Sequence, residues 1–208
     1  MTDFDPTSAV PRRARRRRFR LARLLVLAVV VAATVWFNGR TYHLAAVQDG
    51  VLYRCGNRGI GEFTNALNHD HIRTVVSLID DSELNDPNKP QFKDEAKYLN
   101  EHGIRQERIA VPLGGWPSGE QIATFLSFVS NPTNQPVLVH CAQGVRRTGM
   151  FVAAYQESVM GYNSDKAKDA IETFGHSDRT AQDIRAFIDD YDPINKTMAT
   201  TRPATGNE

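Results

Sequence analysis

The segment Val137 to Gly149, VLVHCAQGVRRTG, constrains this chain more than any other. An apolar run of strand length passes straight into a glycine-bearing loop and then into a helix-forming stretch. Backbone N–H groups at such a helix N-terminus turn inward and make a cradle for an anion. Cys141 opens that loop, where the helix dipole and the N–H groups favour its thiolate and lower its pKa. Arg147 supplies a planar fork that grips two oxygens of an oxyanion. Gly144 allows a tight turn and a close ligand. The Thr148 hydroxyl can donate to the sulfur, and His140 can hold the loop backbone in shape. Cys141, Arg147 and Thr148 form the reactive set. His140, Ala142, Gln143, Gly144, Val145 and Arg146 are expected to bind the anion.

Charge is divided along the 208 residues. The formal net charge of +1 hides nine Arg and two Asp in residues 1–40, against 16 basic and 22 acidic residues in the rest. Eight of those arginines lie between Arg12 and Arg23, crowding the start of an apolar stretch from Leu21 to Phe37. Seventeen residues is the low edge of a spanning length. Arg23 can snorkel, and Trp36 sits where an interfacial aromatic would. The expectation is an Arg-rich cytoplasmic segment (1–20) and one transmembrane signal anchor (21–37). The folded body then lies on the non-cytoplasmic side. A cleaved signal peptide and a twin-arginine export signal stay open as alternatives. An anchor accounts for the basic head, so no nucleic-acid partner is expected. Two cysteines exclude a disulfide-dense scaffold, and no ligand cluster has metal spacing, so no metal or cofactor is expected.

Residues 45–192 alternate strand and helix patterns, giving an α/β domain with a small central sheet flanked by helices. Strands are expected at Val51–Tyr53, Thr74–Ile79, Ile104–Leu113 and Val137–Val139. Asp80–Pro90 reads as a polar loop. Ser118 to Gln121 is a capping box opening a helix to about Ser130. Residues 193–208 read as a disordered tail.

His140-Cys141-x-x-Gly144-x-x-Arg147-Thr148-Gly149 resembles the HCxxGxxR[ST]G loop of the cysteine-dependent protein tyrosine phosphatase superfamily at every defined position. Asp49 to Gly56 (DGVLYRCG) and Thr74 to Leu78 (TVVSL) are similar to flanking segments of bacterial and plant or fungal atypical dual-specificity phosphatases. The resemblance covers residues 49–190. It implies the tyrosine-phosphatase fold and a two-step reaction without metal. Cys141 attacks phosphorus, Arg147 and the loop N–H groups stabilise the equatorial oxygens, and water hydrolyses the phosphocysteine. Substrates would be phosphate monoesters of phosphoproteins or phosphoanhydrides.

One part of the family pattern is missing. Members usually carry an aspartic general acid about thirty residues before the cysteine, but Val111 to Ser118 (VPLGGWPS) holds no carboxylate. Asp80, Asp81, Glu83 and Glu120 are the replacements available. Asp81 is favoured, because the strand before it ends on the side of the phosphate loop. A tyrosine leaving group has a pKa near 10 and needs a proton, whereas a leaving phosphate, near 6, needs less help. A missing acid therefore tilts the substrate toward phosphoanhydrides, and plant and fungal relatives without the standard acid include inositol pyrophosphatases. Ala142, Gln143 and Val145 are uncharged where relatives acting on inositol polyphosphates often carry lysines. Arg146 alone could meet a further phosphate; a solvated arginine is its other reading. The alternative function is a pseudophosphatase that keeps the cradle and turns over poorly. Cys55 reads as a small buried thiol or as a disulfide partner for Cys141, and Trp116 as a pocket wall or as core.

Overall fold

The computed structural model describes Arg23, residues 25–30, 42–195 and 197–198. Arg23 and residues 25–30 are helical and exposed. The whole 1–20 segment and the rest of the 21–37 anchor lie outside the described residues. Among the described residues, no helix is long and apolar enough to cross a membrane.

The body opens with a hairpin of β1 (Ala45–Gln48) and β2 (Leu52–Gly56). Gly50 takes the left-handed conformation its turn demands, φ +70°. The Tyr53 hydroxyl pins that turn, donating to Asp49 at 2.6 Å and accepting from Gly50 N at 3.0 Å. Helix α1 (Ile60–His69), β3 (Thr74–Ser77), α2 (Asp81–Leu84), α3 (Gln91–Glu101) and β4 (Arg105–Arg108) follow. Then come α4 (Gly119–Ser130), β5 (Val137–Cys141), α5 (Arg146–Ser158), α6 (Ser164–Asp169) and α7 (Asp178–Asp190). The sheet order is β1-β2-β5-β3-β4, antiparallel at the β1 edge and parallel elsewhere.

Strand β5, buried at every residue, lies at the centre between β2 and β3. Its side chains alternate with period two. Val137, Val139 and Cys141 enter a large core with Phe125, Leu126 and Val129 of α4, Met150 to Tyr155 of α5, and Ile184, Phe187 and Ile188 of α7. Leu138 enters the opposite core with Cys55, Phe63, Leu67, Val75 and Leu99, under α1 and α3. Because the inner strands are parallel, the C-terminal ends of β2, β3 and β5 meet on one edge, where open α/β sheets place their sites.

The capping box forms as expected. Ser118 Oγ accepts from Gln121 N at 3.2 Å, and Gln121 Oε1 accepts from Ser118 N at 2.8 Å. Other segments differ from the sequence reading. Strand β1 was not anticipated, because AAVQ is short and weakly alternating. Only Arg105–Arg108 of the long strand expected at 104–113 joins the ladder. Residues 80–90 include α2, whose N-cap Asp80 accepts from Glu83 N at 2.9 Å. Of the segment read as a tail, residues 193–195 turn the chain into β7 (Thr197–Met198), antiparallel to β6 (Tyr191–Asp192). Residues 199–208 lie outside the described residues.

Phe125 is fully buried and meets Phe151 edge-on, with ring centroids 5.1 Å apart. Phe125→Ala is expected to cost about 3–5 kcal/mol, read as a lowered urea midpoint of unfolding.

Candidate active site

Cys141 is the last residue of β5, and the loop Ala142–Val145 carries the chain onto α5. Gly144 turns the loop at φ +71°, and a Cβ there would lie 2.2 Å from the Cys55 carbonyl oxygen. Both the conformation and the space require glycine. Gly144 N donates to Cys141 Sγ at 3.1 Å. The loop carbonyls point the other way and are fastened from behind. Asn57 N donates to Ala142 O at 3.0 Å, and the buried Arg54 donates from Nη2 to Gly144 O at 2.7 Å and Val145 O at 3.3 Å. With the carbonyls turned away, the loop N–H groups are left to face an anion.

Burial pushes the Cys141 thiol up. The Arg147 charge, the hydroxyl and N–H of Thr148 and the Gly144 N–H outweigh that, and its pKa stands below the ordinary thiol value. Thr148 Oγ1 is buried with no hydrogen-bond partner in the resting geometry, close enough to the sulfur to help lower its pKa. Burial lowers the pKa of Arg54 to about 10, against the opposing pull of the Cys141 and Glu172 charges.

Arg147 is held by Glu83 through two bonds, Nη1 to Oε2 at 2.5 Å and Nη2 to Oε1 at 2.9 Å. Nη1 also donates to the carbonyls of Leu78 and Val111, each at 3.2 Å. The guanidinium plane is thereby fixed before any ligand arrives. Asp81, favoured from sequence as the acid, pairs with Arg108 Nη2 at 2.6 Å. Its side chain is 75% exposed, held against β4 at the sheet edge. Asp80 is differently placed. Burial raises its pKa, but the Glu83 N–H, the Ser82 hydroxyl, the Leu113 N–H and the Arg147 charge together hold it below the usual carboxylate value.

Arg146 corrects the sequence reading. It is neither solvated nor turned to an anion but buried at 8% exposure. Its Nε donates to Asp183 at 2.8 Å, and its Nη1 and Nη2 donate to the carbonyls of Gly115 at 2.9 Å and Gly114 at 3.0 Å. It ties the loop without a carboxylate to α5 and α7. Trp116, in the same loop, packs against Phe187 at 6.0 Å and belongs to the core side.

His140 lies at 0% exposure. Its Nε2 meets Glu95 Oε1 at 2.9 Å, and its Nδ1 lies 3.4 Å from Cys141 O. Glu95 also accepts from Asn57 Nδ2 at 2.6 Å and Gln106 Nε2 at 3.0 Å. His140 therefore braces the loop from the far face of the sheet rather than touching an anion in it. Cys55 shares that face, aligned with His140 in the β2–β5 register, while Cys141 faces the other core. Both thiols are free, and burial raises Cys55 well above the ordinary value. Glu95 and Arg54 have no role assigned from sequence, and Glu83, a candidate acid there, is instead the partner of Arg147. A buried arginine or histidine in the loop demands a carboxylate or carbonyl partner, but that demand does not say which one. Among the described residues, no group of three or more His, Cys, Asp or Glu could hold a metal ion.

Burial lowers the His140 pKa, and the Glu95 charge and hydrogen bond outweigh it, so the folded value is raised above 6.5. The stability this gives is fully present below the unfolded value and is lost as pH rises through the folded one. In a Cys141→Ser background, which removes the opposite-signed contribution of the thiolate, the urea midpoint is expected to fall across that window. His140→Gln should flatten the dependence.

A family model described as DSP-PTPase phosphatase fused to NAD+ kinase matches residues 45–189. The dual specificity protein phosphatase TpbA of Pseudomonas aeruginosa is 25% identical over 131 residues, 62% of this chain and 55% of that protein. The chain thus spans about half the length of the curated relatives it matches. The core catalytic domain of the PP-IP phosphatase SIW14 from S. cerevisiae, solved with citrate, aligns with a TM-score of 0.58 at 22% identity, over 74% of this chain and 87% of that one. The crystal structure of P. aeruginosa TpbA gives the same four values. These structures share the fold. With the family match spanning the whole sheet and the loop after β5, the chain belongs to the DSP-PTPase phosphatase family.

Proposed function

We propose that this protein is a cysteine-dependent phosphatase. The observation that carries the reading is the convergence on one buried sulfur of the Arg147 charge, the Gly144 N–H and the Thr148 hydroxyl. These groups favour a thiolate nucleophile where an oxyanion would sit. The thiolate attacks phosphorus and forms phosphocysteine as the leaving oxygen departs. The N–H groups of residues 142–147 and the Arg147 fork receive the charge of the equatorial oxygens. Water then displaces the cysteine, with Thr148 stabilising the departing thiolate.

Leaving-group chemistry points to the substrate. The loop 111–118 offers no carboxylate, and Asp80 favours its ionised form. Substrates whose leaving groups need little protonation gain from this arrangement, so a phosphoanhydride of the inositol pyrophosphate kind is preferred over phosphotyrosine. Both classes have precedent among the related structures, a PP-IP phosphatase and TpbA bound to pTyr. The second reading, a phosphate-binding pseudophosphatase, is favoured by the same missing carboxylate.

Phosphate release by the reduced full chain, from an inositol pyrophosphate and a phosphotyrosine peptide, tests these readings. Cys141→Ser is expected to lower release by at least about 10³-fold. Asp81→Asn is expected to cost less than about threefold, where loss of a general acid costs about 10²- to 10⁴-fold. Phosphate binding without turnover on either substrate would favour the pseudophosphatase.

The run of arginines before Leu21–Phe37 supports a single-pass anchor that leaves the phosphatase domain on the non-cytoplasmic side. A C-terminal alkaline phosphatase fusion should then be active, and activity of a cytoplasmic reporter at the same position would reverse the orientation.

A further inference from the structure

The peptide unit joining Gln143 to Gly144 makes two contacts, one at each end. Its N–H points at Cys141 Sγ, 3.1 Å away. Its carbonyl oxygen lies 2.7 Å from His43 Nδ1. A carbonyl oxygen only accepts, so this bond requires the imidazole proton on Nδ1. Accepting a hydrogen bond at oxygen polarises the amide and makes its N–H a stronger donor. A single planar, resonance-coupled unit therefore links the imidazole to the sulfur.

The backbone around this contact is strained and tightly fitted. His43 sits at φ +57° and Phe174 at φ +50°, a region side-chain-bearing residues seldom occupy. Their rings stack at 4.5 Å. His43 also stacks on Tyr42 at 3.7 Å and meets His176 edge-on at 5.2 Å. Tyr42 O accepts from Gly56 N at 2.8 Å, tying the segment to the end of β2. A Cβ on Gly56 would lie 2.6 Å from both Gln143 O and Tyr42 Cδ1, so glycine keeps the approach to Gln143 open. Strain held by so many contacts marks positions where geometry serves function.

The charged groups around His43 suit a neutral donor. Burial lowers its pKa, the Gln143 carbonyl opposes this, and His176, Arg54 and Arg58 lower it further. Arg54 and Arg58 lie over the rings of Phe174 and Tyr42, at 5.2 and 4.7 Å. Glu172, on the loop before Phe174, acts on Arg54.

We propose that His43 is a positioning residue for the Cys141 thiolate, acting through the Gln143–Gly144 peptide to strengthen the hydrogen bond that Gly144 N–H gives to the sulfur. A packing role alone accounts for the ring stacks. It does not account for the aim of Nδ1 at a peptide whose other end rests on the nucleophile. The proposal builds on the reading of Cys141 as that nucleophile.

Iodoacetamide alkylation of Cys141 in the reduced full chain, followed against pH by peptide mass spectrometry, tests it without turnover and separates Cys141 from Cys55. His43→Phe keeps a stacking ring and removes the donor; His43→Leu replaces it if that variant does not accumulate. His43→Asn gives up the ring but places an amide N–H where Nδ1 stood. The donor-less variant is expected to raise the alkylation midpoint by roughly half a pH unit, about threefold slower labelling at pH 6. His43→Asn should return the midpoint to the wild-type value. Equal shifts in both variants, or no shift in either, would overturn the role of His43 and leave the nucleophile standing. A wild-type midpoint in the ordinary range near 8.5 would overturn the nucleophile reading and this proposal together.

Discussion

A charged sulfur at the end of a fully buried strand must be neutralised by groups that are themselves buried, and each of those groups has needs of its own. Arg147 supplies a positive charge and is compensated by both oxygens of Glu83. The loop N–H groups turn inward only because their carbonyls are satisfied outward, by Asn57, Arg54 and His43. Arg54 is in turn desolvated enough to lose part of its basicity. Shell by shell the requirement spreads to β2, α2 and the turn before β1, so the environment of one atom dictates residues far apart in the chain.

The sheet makes this possible by geometry alone. Parallel strands deliver their carboxyl ends to one edge, and the central position of β5 puts its loop between the ends of β2 and β3. Period two then separates the roles of adjacent residues. Cys141 faces the α4, α5 and α7 side, while His140 faces the α1 and α3 side, where Glu95 holds it. One residue braces the loop from beneath because its neighbour must work from above.

What the sequence disclosed was local. The strand, the glycine turn and the helix start around Cys141 are contiguous, and their physics needs no distant partner. The same holds for the capping box at Ser118 and Gln121. The partners of Arg147 and His140 are 64 and 45 residues away, and no short-range pattern points to them. Arg146 was misread for a related reason. An arginine beside a phosphate loop suggests a ligand contact, but two glycine carbonyls and Asp183 were waiting for it in the fold. Strand β4 was legible in position but not in extent. Its sequence RQER is polar along an exposed edge, and the apolar residues after it leave the ladder.

The arginine clamp on Gly114 and Gly115 has an entropic consequence. A rim loop that is free in the empty protein must be ordered at each binding event, and affinity falls by that amount. Here two buried hydrogen bonds from Arg146 order the loop when the chain folds, and a third, half-buried, anchors the same arginine to Asp183 of α7. The order of the Gly114–Gly115 turn is thus tied to the stability of α7, and whatever loosens α7 loosens this turn beside the loop after β5.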